Sequence, residues 1–405
     1  MSNFAFGTYR VTDENPEHVQ AIIDAVEAGV RLIDTSSNYM DGASEKAIAK
    51  ALRHFDDDTR DAVEIVSKFG YIQGSNMLAH KEDPFEDVVE YSESCFHSIS
   101  KSFMLDQLEK SLLRLELTTI DCYLLHNPEY YIFNALNKKM PHDEALDNMF
   151  DRIFDVFVAL EEQVENGTIK SYGISSNSFS KAHNDIEFLP YEDLITLADK
   201  AAEIAGNDRH SFTTIQLPIN MLETEGLKCA AWAKNNGLRV LVNRPLNAQD
   251  GELMYRLADY DESSEYYNHL NELLEISDND ELQSLYNLIE QLDENKHKYG
   301  WIGDYDSFLY SQIIPHIQKS LEGMDEQNFA TLFTYVDMFL KEYRKMVAHE
   351  CSKSTRVQLK AQLNACTSSL QECALKFLLE RESIDYILIG MRKSSYVHDI
   401  MALKE

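Results

Sequence analysis

Four side chains of kinds that move protons each stand at or just beyond the end of a short apolar run. Asp34 follows Leu32 and Ile33, Tyr39 lies five residues on, Lys68 follows Ile65, Val66 and Ser67, and His126 follows Tyr123, Leu124 and Leu125. An acid, a phenol, an ammonium and an imidazole brought together form a set able to deliver a proton to a reacting oxygen. Reduction of a carbonyl by hydride has that need, because the alkoxide must be protonated as it forms. Tyr39 is the candidate donor. A free phenol has a pKa near 10, and the ammonium of Lys68 is expected to lower that of Tyr39. Asp34 would keep Lys68 charged and in place, since an unpaired buried ammonium costs several kcal/mol. His126 would donate to the carbonyl oxygen and orient it. Taken singly, each residue has an ordinary structural reading, and it is the four together that carry weight.

Residues so far apart in sequence need a scaffold that gathers strand ends. Strand-like runs at residues 4–7, 31–34, 63–67, 120–125, 169–174, 213–217, 238–242 and 386–390 alternate with amphipathic stretches at 16–28, 44–54, 101–115, 148–165, 191–204, 226–235, 359–380 and 394–403. Repeated βα units predict a parallel sheet, and eight of them predict a (β/α)8 TIM barrel, whose strand ends all open on one face. Gly29, Gly167, Gly206 and Gly237 stand where helices should end. Three connections, 69–100, 127–147 and 247–355, are too long for a plain barrel, and removing them leaves roughly 240 residues, near the ~250 of a bare one. All three follow a strand, so they are expected on the face that holds the four side chains.

The expected organisation is therefore a barrel of residues 1–246 and 356–405, with a helical insertion of 247–355 after strand seven acting as a lid or a docking module. Its first half, 250–294, holds fourteen Asp or Glu and one basic residue, Arg256, with Leu270, Leu273, Leu274, Leu285 and Leu288 at helical spacing. A solvated acidic face over an apolar stripe is the first reading, and a surface for a protein partner is the second.

Composition narrows the class further. The formal net charge of -32 repels phosphate backbones and anionic lipid, which argues against nucleic acid and membrane as partners. No apolar run of some 18 residues occurs, and the first 15 residues have neither a basic start nor an apolar stretch. The six cysteines form no CxxC pair and lie in or beside apolar segments, so free buried thiols and a reducing cytoplasm are expected. No His, Cys, Asp or Glu set has convincing metal-ligand spacing, which leaves a metal-dependent barrel hydrolase a distant reading. Any anionic cofactor has to be held by a local cluster of donors.

The segment Leu32-Ile33-Asp34-Thr35-Ser36-Ser37-Asn38-Tyr39, followed by Gly42-Ala43-Ser44-Glu45 and by Lys68 and His126 in that order, resembles the catalytic tetrad of the aldo-keto reductases. The resemblance covers residues 3–246 and 356–405 and implies Tyr39 as general acid, supported by Asp34, Lys68 and His126. It also implies NADP(H) laid across the barrel mouth, in keeping with the lack of a GxGxxG after the first strand. Ser175 and Ser176, or Asn177 with the register moved by one, match the segment that holds the nicotinamide carboxamide, and Gln216 matches its next ligand. Asn243-Arg244-Pro245-Leu246 matches an aromatic-Ser-Pro-Leu segment, with Asn243 where a ring stacks and Arg244 placed to pair with the pyrophosphate. Gly390, Arg392 and Lys393 match the grip on the adenosine 2′-phosphate at the start of the last helix. Tyr396 and Ile400 depart from the usual residues around adenine. The chain ends soon after that helix, so substrate contacts are expected from the insertions.

The implied activity is hydride transfer between nicotinamide and a small carbonyl or alcohol substrate. A second reading is a cofactor-binding regulatory or scaffold protein that docks a partner through its insertion.

Overall fold

The computed structural model describes residues 4–251, 253–363 and 366–404. Eight parallel strands close a barrel in chain order: β1 Phe4–Gly7, β2 Leu32–Asp34, β3 Glu64–Phe69, β4 Cys122–His126, β5 Tyr172–Ser175, β6 Phe212–Pro218, β7 Arg239–Asn243 and β8 Tyr386–Ile389, which pairs back with β1. β2, β4 and β5 are buried at every residue, as strands covered on both faces must be, which is why they read as apolar runs without alternation. Leu32, Val66, Cys122, Leu124, Leu241 and Leu388 pack together as one buried cluster. Each such leucine contributes about 2 kcal/mol by leaving water.

Register then fixes what stands at the mouth. Gly7 pairs with Asp34, Lys68 with Leu124, His126 with Ser175, and Ser175 with Gln216. Asp34, Lys68, His126 and two of the predicted cofactor ligands, Ser175 and Gln216, therefore share the C-terminal ends of neighbouring strands, and Tyr39 lies in the turn that follows β2. One glycine is required for this. A Cβ on Gly173 would stand 2.0 Å from the Thr214 carbonyl oxygen, at the irregularity where β5 and β6 shift register.

Helices fall where the periodicity places them, with two differences. The helix expected over 148–165 spans His142–Glu165, because Asp143 and Glu144 in its first turn suit the positive end of the helix dipole. The one expected over 359–380 is confined to Leu370–Leu379. Here the chain leaves the long helix Glu326–Gln358 and restarts, with the Asp259 carboxylate accepting the Leu370 N–H at 2.9 Å and the Arg356 guanidinium at 2.7 Å. A cap from 111 residues away leaves no local signal. Gly29, Gly167, Gly206 and Gly237 do adopt left-handed backbone. The expectation of free thiols is corrected for one pair: Cys366 and Cys373 are disulfide-bonded, while Cys122, Cys229 and Cys351 are free and buried and Cys95 is free and half-buried. Their spacing of seven carries no motif, and the turn before Leu370 brings them to a Cα separation of 5.9 Å.

The first two long connections belong to the barrel unit. Residues after β3 form a three-stranded antiparallel sheet of Tyr71–Ile72, Val89–Ser92 and Cys95–His97 with the helix Gly74–Glu82, and those after β4 form the helix Tyr130–Asn137. The chain divides into two compact units, the second comprising Asn220–Glu223 and Leu246–Phe377. It opens with the hairpin Asn247–Asp250 and Leu253–Arg256 and continues in helices that include Tyr266–Ser277, Gln283–Asn295 and Glu326–Gln358. Their apolar stripes meet in a core of Tyr266, Leu270, Leu285, Ile289, Phe339 and Tyr343. The Tyr343 hydroxyl donates to the Leu292 carbonyl at 2.8 Å, satisfying a polar group that burial would otherwise penalise. Among the described residues no helix is long and apolar enough to cross a membrane.

Candidate active site

The deepest element is an ion pair. Lys68 is fully buried, its Nζ donating to the Asp34 carboxylate at 2.8 Å and to the Thr35 carbonyl at 2.7 Å. Burial pushes the Asp34 carboxyl up and the Lys68 ammonium down, and each opposes the other's shift. Neither charge is sustainable alone at this depth. The second Asp34 oxygen accepts the Gln216 amide at 2.7 Å, and the Gln216 carbonyl accepts the Ser175 hydroxyl at 2.9 Å. A continuous chain of bonds thus joins Lys68, Asp34, Gln216 and Ser175.

Tyr39 is carried by a turn of unusual backbone: Met40, Asp41 and Gly42 all have positive φ, at 49°, 54° and 85°. Two of these are not glycine, a strain of about 1 kcal/mol or more each that persists only where surroundings over-determine it. The Asp41 carboxylate supplies that restraint by accepting the Ser75 N–H at 3.0 Å and its hydroxyl at 2.7 Å. Lys68 Nζ lies 5.0 Å from the Tyr39 ring centroid, the His126 ring 6.0 Å and the Tyr9 ring 5.3 Å away. Burial first, then Asp34 and Tyr9, hold the phenol well above its usual range. The expected lowering by Lys68 is therefore corrected: its charge is engaged by Asp34 and Thr35, and the phenol stays protonated, which is the state a proton donor requires.

His126 is buried and kept neutral, by burial first and then by Lys68 and His97. Its Nδ1 lies 3.2 Å from the Ser36 hydroxyl, whose other neighbour is Asn38 Oδ1 at 2.7 Å. The single Ser36 hydroxyl hydrogen is donated to Asn38 Oδ1, and only when it turns instead to donate to Nδ1 does Nε2 carry the imidazole hydrogen and become the donor. The two barrel-unit insertions hold this imidazole. Tyr71 meets it edge-on at 4.8 Å, and His97 Nε2 donates to its carbonyl at 2.7 Å. Asn127, left-handed at φ 54°, donates to the Tyr71 hydroxyl at 2.5 Å.

The predicted cofactor positions fall in three places. Ser176 is buried, its N–H donating to the Gln216 carbonyl at 2.9 Å and its hydroxyl accepting the Ser178 N–H at 3.1 Å. The side chain of Asn177 is exposed, and its N–H donates to Glu129 at 2.9 Å. Asn243 ends β7 with a buried Oδ1 that has no hydrogen-bond partner, Arg244 follows at φ 51°, Pro245 is buried, and Leu246 packs within the second unit. Gly390, Arg392, Lys393 and Tyr396 are exposed around the start of the helix Ser394–Met401, whose first turn has no side-chain cap. The structure joins Ser175 and Gln216 to the tetrad by hydrogen bonds, and none of the Gly390–Tyr396 positions bonds to it. Among the described residues Arg392 and Lys393 make no ion pair, although acids outnumber bases 69 to 37. Two unpaired cations at an uncapped helix start, with an orphaned buried acceptor at Asn243 and buried donors at Ser175 and Gln216, fit an anionic dinucleotide.

Sequence reasoning missed Ser36 as a partner of His126, along with Tyr71, His97 and Glu129. Ser36 lies inside the segment already singled out, so its proximity was legible. The other three belong to irregular insertions.

Residues 3–300 match the aldo/keto reductase family, and the chain belongs to it. It is 27% identical over 175 residues to prostaglandin F synthase 1 of Bos taurus, covering 42% of this chain and 46% of that protein. It is 27% identical over 183 residues to the NADPH-dependent codeinone reductase 1-2 of Papaver somniferum, covering 45% and 48%. The chain thus spans about half the length of these relatives. A glycerol dehydrogenase structure from Gluconobacter oxydans aligns with a TM-score of 0.51 at 16% identity, covering 100% of this chain and 87% of that one, which shows the shared fold.

Proposed function

We propose that the protein is an NADP(H)-dependent oxidoreductase that transfers hydride between nicotinamide and a small carbonyl or alcohol substrate, with Tyr39 as general acid. The observation that carries this reading is the buried Lys68–Asp34 pair beneath a protonated Tyr39, bonded through Gln216 to Ser175. Ser175, Gln216 and Ser176 or Asn177 would hold the carboxamide, Asn243 with Arg244 and Pro245 would lie along the ring and pyrophosphate, and Gly390, Arg392 and Lys393 would take the 2′-phosphate, with Tyr396 beside the adenine. When bound, the cofactor supplies the hydride. Tyr39, held protonated, gives its proton to the developing alkoxide, with the Lys68 ammonium 5.0 Å from its ring centroid and fixed by Asp34. Neutral His126 donates a hydrogen bond to the same oxygen and orients it. The name of the codeinone reductase relative supports the choice of NADPH. In this reading the insertion of residues 247–355 sets substrate size, so its replacement by a short linker should raise substrate KM while leaving cofactor affinity nearly intact.

The test is NADPH oxidation with a panel of aldehydes, beside NADPH and NADH binding by wild type and Arg392→Ala. Turnover, with an NADPH preference that Arg392→Ala erases, is expected. Binding without turnover on any aldehyde would favour the regulatory reading, with the acidic insertion as a docking module for a protein partner.

A further inference from the structure

One buried carboxyl near the tetrad has no task in the mechanism above. Glu129 lies three residues after His126 and is 1% exposed. Its Oε1 accepts the Asn177 N–H at 2.9 Å, while Oε2 has no hydrogen bond of ordinary geometry, and among the described residues the carboxyl makes no ion pair. A second bond runs beside the first, from the Asn127 N–H to the Ser175 carbonyl at 2.7 Å. Together they clamp Ser175–Asn177 from the end of β4.

The groups that face Glu129 are polar but uncharged. From the segment after β5 come the Ser176 hydroxyl and the Ser178 N–H; from the strand after β3 comes the Tyr71 phenol, and from its own helix the Tyr130 phenol. Burial keeps both phenols protonated. The Ser178 hydroxyl is itself buried without a partner. Burial also pushes the Glu129 carboxyl up to about 7, opposed by the hydrogen bonds it accepts. A buried carboxylate with no counter-ion is stabilised by whatever positive charge comes near it. The oxidised nicotinamide ring carries one positive charge, and the reduced ring carries none.

We propose that Glu129 is a positioning residue for the nicotinamide end of the cofactor, one that holds Ser175–Asn177 in the shape that takes the carboxamide and, when ionised, favours the oxidised ring over the reduced one. This rests on the cofactor reading above. Binding of the oxidised form to protein with a protonated Glu129 releases that proton to solvent, and binding of the reduced form does not.

The experiment is calorimetric titration of the full chain with NADP+ and with NADPH from pH 5.5 to 8.5, reading the ratio of the two dissociation constants. The 2′-phosphate is common to both forms and cancels in the ratio. The ratio should move toward the oxidised form by about fivefold between pH 6 and 8, most of the tenfold limit set by displacing one pKa by one unit, and should be independent of pH in Glu129→Gln. A merely structural pin would change both affinities equally at every pH. A ratio that does not move with pH in wild type overturns the proposal without any variant, and so does a ratio that still moves in Glu129→Gln. Failure of the wild type to bind either form at any pH overturns the cofactor reading and this proposal with it.

Discussion

Glu129 and His97 are buried groups that titrate in opposite senses, and stability should show both. Burial lowers the His97 imidazole to about 4, so this group contributes stability above its unfolded pKa of 6.5 that is lost as pH falls through 4. Glu129, raised to about 7 from 4.5, contributes stability below 4.5 that is lost as pH rises through 7. Each displacement is worth about 3 kcal/mol, so between pH 4.5 and 6.5 the two slopes nearly cancel in wild type. Urea unfolding across that range should unmask them. The stability difference between wild type and Glu129→Gln should fall as pH rises, and that between wild type and His97→Gln should rise. Two differences that stay flat would mean that neither group is held away from its ordinary pKa. At this scale the four residues were legible because three reactive types stood at the ends of three apolar runs and Tyr39 followed the first of them by five residues. The state of Tyr39 was not, because it is set by burial first and then by Asp34 and Tyr9, which converge on it only in the folded chain.

At the level of elements, the barrel's precision depends on β5 and β6 approaching closely enough to bring Ser175 to Gln216. Gly173→Ala should therefore cost more than 2 kcal/mol, because the added Cβ meets backbone that cannot turn aside. The same change should weaken cofactor binding more than Gly300→Ala, where the backbone is not left-handed and a Cβ meets nothing within 4 Å. Thermal melts and NADPH titration of both variants check this, and equal losses at the two sites would show that the approach is not restrictive. All eight strands were readable to within a few residues, because burial on both faces writes a continuous apolar run. Elements fixed by distant contacts were not. The start of the helix Leu370–Leu379 is set by Asp259, and the Tyr71–His126 contact joins two segments 55 residues apart. No local pattern encodes either.

Among the described residues each compact unit has a core of its own, that of the barrel around Leu32, Val66 and Leu241 and that of the second unit around Tyr266, Phe339 and Tyr343. Two cores in two compact units predict two calorimetric transitions, and NADPH should raise only the transition of the barrel unit. A single transition moved as a whole by NADPH would show that the units fold together. The helical character of the insertion was readable from the spacing of Leu270, Leu273, Leu285 and Leu288. Its function was not, because the family resemblance does not cover these segments. In the proposed reaction Tyr39 delivers its proton to a carbonyl reduced by NADPH. The most direct test compares Tyr39→Phe with wild type for NADPH affinity by fluorescence and for turnover on the best aldehyde of the panel. The ring and its packing remain while the proton is removed, so affinity should be unchanged and turnover should fall by about a hundredfold or more. Turnover within about twofold of wild type would contradict the claim and place the proton donor elsewhere.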